Sequence, residues 1–198
     1  MTDHIVWHSG SVSREDRASV TGGRGVTVWL TGLSGSGKST IGRALESELV
    51  VRRRAAYVLD GDNLRFGLNS DLDFSSTDRN ENVRRVSHVA QLLADAGLVA
   101  VVPIISPYAE GRDRARLLHE ENGLGFIEVF VDTPLEICEK RDPKGIYKRA
   151  RAGEILNMTG IDDPYEAPKD PDVRIVTQTM DVEEAVGAIL NVMINAER

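Results

Sequence analysis

GLSGSGKST, residues 32–40, is the stretch that decides the fold of this chain. It completes the pattern G-x-x-x-x-G-K-[ST] of a phosphate-binding loop, and both of its flanks fit. Before it, Val26, Thr27, Val28, Trp29, Leu30 and Thr31 have the β-branched and aromatic content of a buried parallel strand. After it, Ile41, Ala44, Leu45 and Leu49 recur at helical spacing. Gly32, Gly35 and Gly37 let backbone N–H groups converge on phosphate oxygens, because a Cβ would restrict those dihedrals or block close approach. The start of the helix adds partial positive charge. Lys38 is placed to reach the outer phosphates of ATP and the Ser39 hydroxyl to ligate Mg²⁺, while Leu33, Ser34, Ser36 and Thr40 complete the ATP-holding loop. The competing reading, a flexible Gly/Ser turn, would have to meet the pattern and both flanks by chance.

Outward from the loop the alternation continues. Residues 56–59 form a short strand candidate; Val83, Val86, Ala90 and Leu93 mark one face of a long helix with Ser75, Ser76 and Thr77 as candidate N-caps. Residues 99–105 read as a strand, 112–121 as a helix, 126–131 as a fourth strand and 173–176 as a weaker fifth. Asp181 and Glu184 stand at capping-box spacing ahead of a last helix with Val182, Ala185, Ile189 and Met193 on one side. The expected fold is α/β: a three-layer P-loop NTPase fold with a five-stranded parallel sheet flanked by helices, plus a lid segment. Residues 1–24, polar with scattered glycines, read as an N-terminal arm with little regular structure, and 25–198 as the P-loop domain. The charged stretch of about 143–171, with Lys144, Lys148, Arg149 and Arg151, reads as a lid over the site, against the plainer alternative of a solvated excursion.

The second strand runs into Asp60, Gly61, Asp62 and Asn63, at the carboxyl edge where open α/β sheets place their ligands. Phosphoryl transfer to a hydroxyl can use one carboxylate to orient Mg²⁺ and its water and another to accept the hydroxyl proton. Asp60 and Asp62 fit those roles; the alternative is an exposed turn. Arg65 and Arg79 are candidate anion clamps, since a planar guanidinium grips phosphate or sulfate at two points. Asn82 lies three residues after Arg79 and so on the same helix face. Phe74, in a polar loop, could stack on a purine or pack beneath the loop. Ser106 ends the strand before it and points to the same edge, but has no basic partner nearby in sequence.

Bulk properties exclude other classes. The chain has 198 residues, 41% hydrophobic and 28% charged, with a formal charge of −7, which argues against a nucleic-acid binder. No apolar run nears the roughly 20 residues of a membrane span. The one cysteine, Cys138, precludes an intrachain disulfide, and histidines at 4, 8, 88 and 119 lack metal-ligand spacing. A cytoplasmic location is expected, with no signal peptide at the N-terminus.

In its order of blocks the chain resembles the adenylylsulfate kinase family. WHSGSVSREDR (7–17), the loop itself, LDGDNLRFGLN (59–69), FSSTDRNENVRR (74–85), IISPY (104–108), DTPLEICEKRDPKGIYKRARAGEI (132–155) and TGIDDPYEAP (159–168) carry the likeness. The resemblance implies transfer of the ATP γ-phosphate to the ribose 3′-hydroxyl of adenosine 5′-phosphosulfate, with Mg²⁺. It implies an acceptor pocket of Asp62, Asn63, Arg65, Phe74, Arg79, Asn82, Ile105, Ser106 and Lys144, and a phosphorylated intermediate at Ser106, although direct in-line transfer is the simpler reading of the residues. It also suggests a homodimer and association with an ATP sulfurylase. Two departures stand out: Ala109 where many members carry arginine after the SPY block, and Asn157 and Met158 where many carry an aromatic before TGID. A purine sandwiched between Phe74 and Met158 would preserve adenine recognition. The alternatives are a sister kinase acting on another small nucleotide and an ATP-binding regulatory module.

Overall fold

The computed structural model of the chain describes residues 6, 8 and 10–196. The elements run α1 (Arg14–Thr21), β1 (Val26–Thr31), α2 (Lys38–Val51), β2 (Ala56–Val58), α3 (Gly61–Leu64), α4 (Ser76–Asp95), β3 (Val99–Pro103), α5 (Ala109–Glu121), β4 (Gly125–Asp132), α6 (Leu135–Arg141), α7 (Ile146–Arg151), β5 (Val173–Val176) and α8 (Val182–Ala196). The strands form one five-stranded sheet in the order β2-β3-β1-β4-β5. Every pairing is parallel, with Val26 opposite Val99 on one side and Gly125 on the other. The expected α/β architecture is therefore present.

Period-two alternation along β1 divides the core. Val26, Val28 and Leu30 face α2 and α8, where they meet Ile41, Leu45, Ile189 and Met193. Trp29 turns to the opposite face, against Val83, Val86 and Ala90 of α4 and Phe126 of β4. Burying each such aliphatic side chain contributes about 1.5–3 kcal/mol, so these two layers carry most of the stability. Strands β1 and β3 are neighbours whose crossovers leave in opposite directions, β1 toward β2 and β3 toward β4. A crevice opens there at the carboxyl ends, directly beneath the glycine loop.

Two expectations need revision. The arm is not wholly irregular: α1 forms over residues 14–21, where Ser13 and Asp16 make a reciprocal capping box and Gly22 closes the end with φ 85°. It lacks an apolar stripe and buries no side chain; Arg14 and Arg17 pair with Asp95 at 2.7 and 3.0 Å. Such half-exposed pairs contribute at most about 1 kcal/mol each, which is why hydrophobic periodicity did not find the helix. The rest of the arm reading, on residues 1–5, 7 and 9, lies outside the described residues. The irregular stretch 143–171 contains one short helix, α7. Elsewhere boundaries shift by a few residues: α5 begins at Ala109, not 112, and β3 ends at Pro103.

Beneath the sheet His119 is fully buried. Its Nδ1 meets the Ala115 carbonyl at 2.7 Å, so Nδ1 carries the proton and Nε2 accepts from Thr27 Oγ1 at 2.8 Å. Burial lowers its pKa from 6.5, keeping the ring neutral. The unfolded chain then binds a proton below about pH 6.5 that the folded chain refuses, so stability falls as pH drops through that value. Urea midpoints measured from pH 7.5 to 5 should show this acid limb, and His119→Gln should flatten it.

Candidate active site

The glycine loop keeps its shape because its carbonyl side is tethered. Lys38 Nζ donates to Gly32 O at 2.9 Å and Leu33 O at 2.7 Å. Tyr147 OH donates to Ser34 O at 2.9 Å and Thr133 Oγ1 to Ser36 O at 3.0 Å. Arg141 reaches Gly35 O and Ser36 O at 3.4 Å. With the carbonyls tied to protein, the N–H side is what remains for an anion. Gly37 caps α2 at φ 110° with no side-chain hydrogen bond, so the helix start offers its own unpaired donors. Lys38 is buried, and desolvation lowers its pKa to about 8 against the opposing pull of Cys138, Asp60 and Asp62. A buried ammonium facing a cleft gains strongly from an arriving phosphate.

The loop lines one wall of a cleft of about 830 Å³, and Asp60, Asp62, Asn63, Arg65, Phe74, Arg79, Asn82, Ile105, Ser106 and Lys144 line the same space. Asp60 is buried and caps α3, taking Asp62 N–H on Oδ1 at 3.0 Å. Asp62 itself is exposed and paired with Lys144. Strands β1 and β2 end at the same edge of the parallel sheet, which brings the loop and the two aspartates to one cleft.

A metal here would have a sparse protein shell. Among the described residues no group of three or more His, Cys, Asp or Glu could hold a metal. Half-buried Ser39 and buried Asp60 both face the cleft, and one hydroxyl plus one carboxylate matches Mg²⁺, which completes its octahedron with phosphate and water oxygens. The residues therefore fit Mg²⁺ carried with a nucleotide.

Several placements differ from the expectation. Met158 does not face a purine across from Phe74: it is 6% exposed and packs with Cys138 and Tyr147. Its apolar thioether finds a local cluster, and Asp162 holds its N–H at 2.6 Å. Asn157 lies outside the cleft lining and acts through its carbonyl, which accepts from Arg79 Nη2 at 2.7 Å. Phe74 is 51% exposed, with the Arg65 guanidinium 4.2 Å from its ring centre. Arg79 is buried, bonded to Phe74 O at 3.0 Å and paired with Asp163 at 3.7 Å, so much of its capacity is spent on protein. Ser106 is 3% exposed at φ 41°, and its Oγ accepts from Trp29 Nε1 at 3.1 Å.

Sequence reading missed the scaffold behind Ser106. Arg112 is buried; it pairs with Glu128 at 2.8 Å and donates to Ser106 O at 2.8 Å and Glu166 O at 2.7 Å. Tyr108 OH donates to Asp163 at 2.9 Å, and Tyr165 OH meets Thr31 Oγ1 at 3.0 Å. One of three arginines in a polar helix reads as solvated, so nothing in the sequence marked Arg112.

An anion cradle sharing its cleft with carboxylates that follow β2 and with an arginine and an amide of α4 is the layout of a P-loop kinase. Within that class the chain belongs to the adenylylsulphate kinase family, whose model matches residues 24–176. It is 53% identical to an adenylyl-sulfate kinase of Saccharomyces pastorianus over 195 residues, 98% of this chain and 96% of that one. It is 53% identical over 190 residues to the "Bifunctional enzyme CysN/CysC" of Mycobacterium tuberculosis, covering 96% of this chain and 30% of the longer protein. Among solved structures, the Mycobacterium tuberculosis APS kinase CysC in complex with AMPPNP and APS superposes with a TM-score of 0.84 at 55% identity, over 86% of this chain and 98% of that one.

At Gly32, where φ is 152°, an added Cβ would lie 2.6 Å from Val131 O and 3.0 Å from Ser36 Oγ. Gly32→Ala should cost about 2–4 kcal/mol and displace the loop. In thermal melts the variant should unfold earlier and lose the stabilisation that a non-hydrolysable ATP analogue confers on the parent.

Proposed function

We propose that this chain transfers the γ-phosphate of ATP to the ribose 3′-hydroxyl of adenosine 5′-phosphosulfate, yielding 3′-phosphoadenosine 5′-phosphosulfate for sulfate assimilation. The observation that carries the reading is that Lys38 and Asp62 line a single cleft. ATP would sit with its phosphates on the glycine loop and Lys38, and the acceptor against Asn63, Arg65, Phe74, Arg79, Asn82 and Ile105. Ser39 and Asp60 would hold Mg²⁺, which would supply charge neutralisation at the transferring phosphate.

Asp62 is the proton acceptor for the attacking hydroxyl. Its Lys144 partner is held by an ion pair whose side chains are 51% and 61% exposed, an interaction worth little and readily exchanged for a phosphate. Ser106 shapes the pocket without forming a covalent intermediate. Its hydroxyl oxygen accepts an indole N–H, and a serine nucleophile needs instead a base to take its proton. Of residues 143–171, we assign the lid to the part before 156, which carries Lys144, Lys148 and Arg151. Residues 158–166 are pinned through Tyr108, Arg112 and the Glu166 N–H to Pro107 O bond at 2.8 Å. Closing the lid would exclude water from the terminal phosphate. That a relative is a longer bifunctional enzyme supports association with a second activity, for which ATP sulfurylase is our candidate, and a homodimer is the assembly we propose.

Coupled measurement of ADP release should show turnover dependent on adenosine 5′-phosphosulfate, and folded protein without acceptor-dependent ADP would refute the assignment. Asp62→Asn should lower kcat by roughly 10²–10⁴-fold while the affinity for an ATP analogue stays within a few fold.

A further inference from the structure

Residues 65–74 form a largely exposed loop that carries Arg65 and Phe74, yet one of its members is wholly buried. Asn69 has 0% exposure, and its Nδ2 donates to Asn82 Oδ1 at 2.9 Å. Asn69 Oδ1 has no hydrogen-bond partner. Asn69 does not line the cleft; Asn82 does. A buried amide whose oxygen is unpaired costs about 1–3 kcal/mol, which makes the single bond it does form the feature to explain.

We infer that Asn69 is a positioning residue that sets which end of the Asn82 amide meets the acceptor nucleotide. By occupying Asn82 Oδ1, Asn69 leaves the Asn82 Nδ2 protons to the cleft, so position 82 recognises a hydrogen-bond acceptor on the ligand, such as a phosphate, sulfate or ring-nitrogen atom. The reversed arrangement would strand both protons of a buried Asn69 Nδ2, whereas the observed one strands the amide oxygen and one of those protons. Orphaned donors are the rarer and costlier case. The pair also spans the loop and α4, with Arg85 bound to Leu68 O at 3.0 Å and to Asp71 at 2.6 Å alongside it.

The inference rests on the proposed acceptor pocket, and the test separates the two. If the parent enzyme shows no acceptor-dependent ADP release, the function reading fails first. With the parent active, Asn69→Ala should raise the KM for adenosine 5′-phosphosulfate roughly tenfold and leave the KM for ATP within twofold. In an Asn82→Ala background, Asn69→Ala should add no further loss, because its effect passes through Asn82. Full additivity, the result expected if Asn69 merely anchors the loop, overturns the proposal, as does an unchanged acceptor KM. Should Asn69→Ala fail to fold, side-chain amide NMR on the parent decides: the Asn82 NH₂ pair should shift on adding adenosine 5′-phosphosulfate and the Asn69 pair should stay protected from exchange. An indifferent Asn82 pair overturns the proposal.

Discussion

Everything functional in this molecule depends on holding the carbonyl side of a nine-residue glycine-rich turn away from the cleft. Isolated, such a turn samples many conformers, because glycine loses more freedom on ordering than any other residue. Here the conformer is selected by one side chain of the turn itself and three from residues 133–147. Lys38 binds Gly32 and Leu33, Tyr147 binds Ser34, Thr133 binds Ser36, and Arg141 spans Gly35 and Ser36. Strand β1 supplies the rigid floor. The burial that makes the loop ordered is the same burial that depresses the Lys38 pKa toward 8, so rigidity and avidity for phosphate have one cause.

The facing wall is built on the same logic with different materials. Trp29 lies on β1 three residues before the loop and sends its indole N–H to Ser106, three residues beyond the end of β3. Arg112 reaches from α5 to hold the Ser106 carbonyl, with its charge matched by Glu128 on β4. A buried pair of this kind adds little net stability over an apolar packing, yet losing one partner would cost about 3–5 kcal/mol. Its value is geometric: it joins the end of β3, the start of α5 and residues 163–166 into one body. That wall is thus braced from three elements, whereas Lys144 is tied to it only by an exposed ion pair with Asp62.

The fold was legible in the sequence because β1, α2, α4 and α8 announce themselves through periodicity and caps; Ser75 before α4 and the Asp181–Glu184 box before α8 stand where the pattern put them. The glycine loop and the DGDN turn were legible because their chemistry is local. Helix α1 was not, since its stability comes from caps and from Asp95 about 80 residues away rather than from an apolar face. Met158 misled for a related reason. A methionine next to a turn is equally suited to a ligand or to a small core, and only the presence of Cys138 and Tyr147 beside it decides.

Sequence alone determined that this chain holds a phosphate cradle on a parallel sheet, and that carboxylates and arginines follow at the next strand end, because strand–turn–helix signals and motif spacing act over a few residues. Tertiary structure decided which of those groups share the cleft, which arginines are already committed to carbonyls, and that Asn69, Trp29 and Arg112 stand behind the residues that line it. Those outcomes depend on contacts between segments tens of residues apart, and their energies exist only once the layers pack and water is excluded.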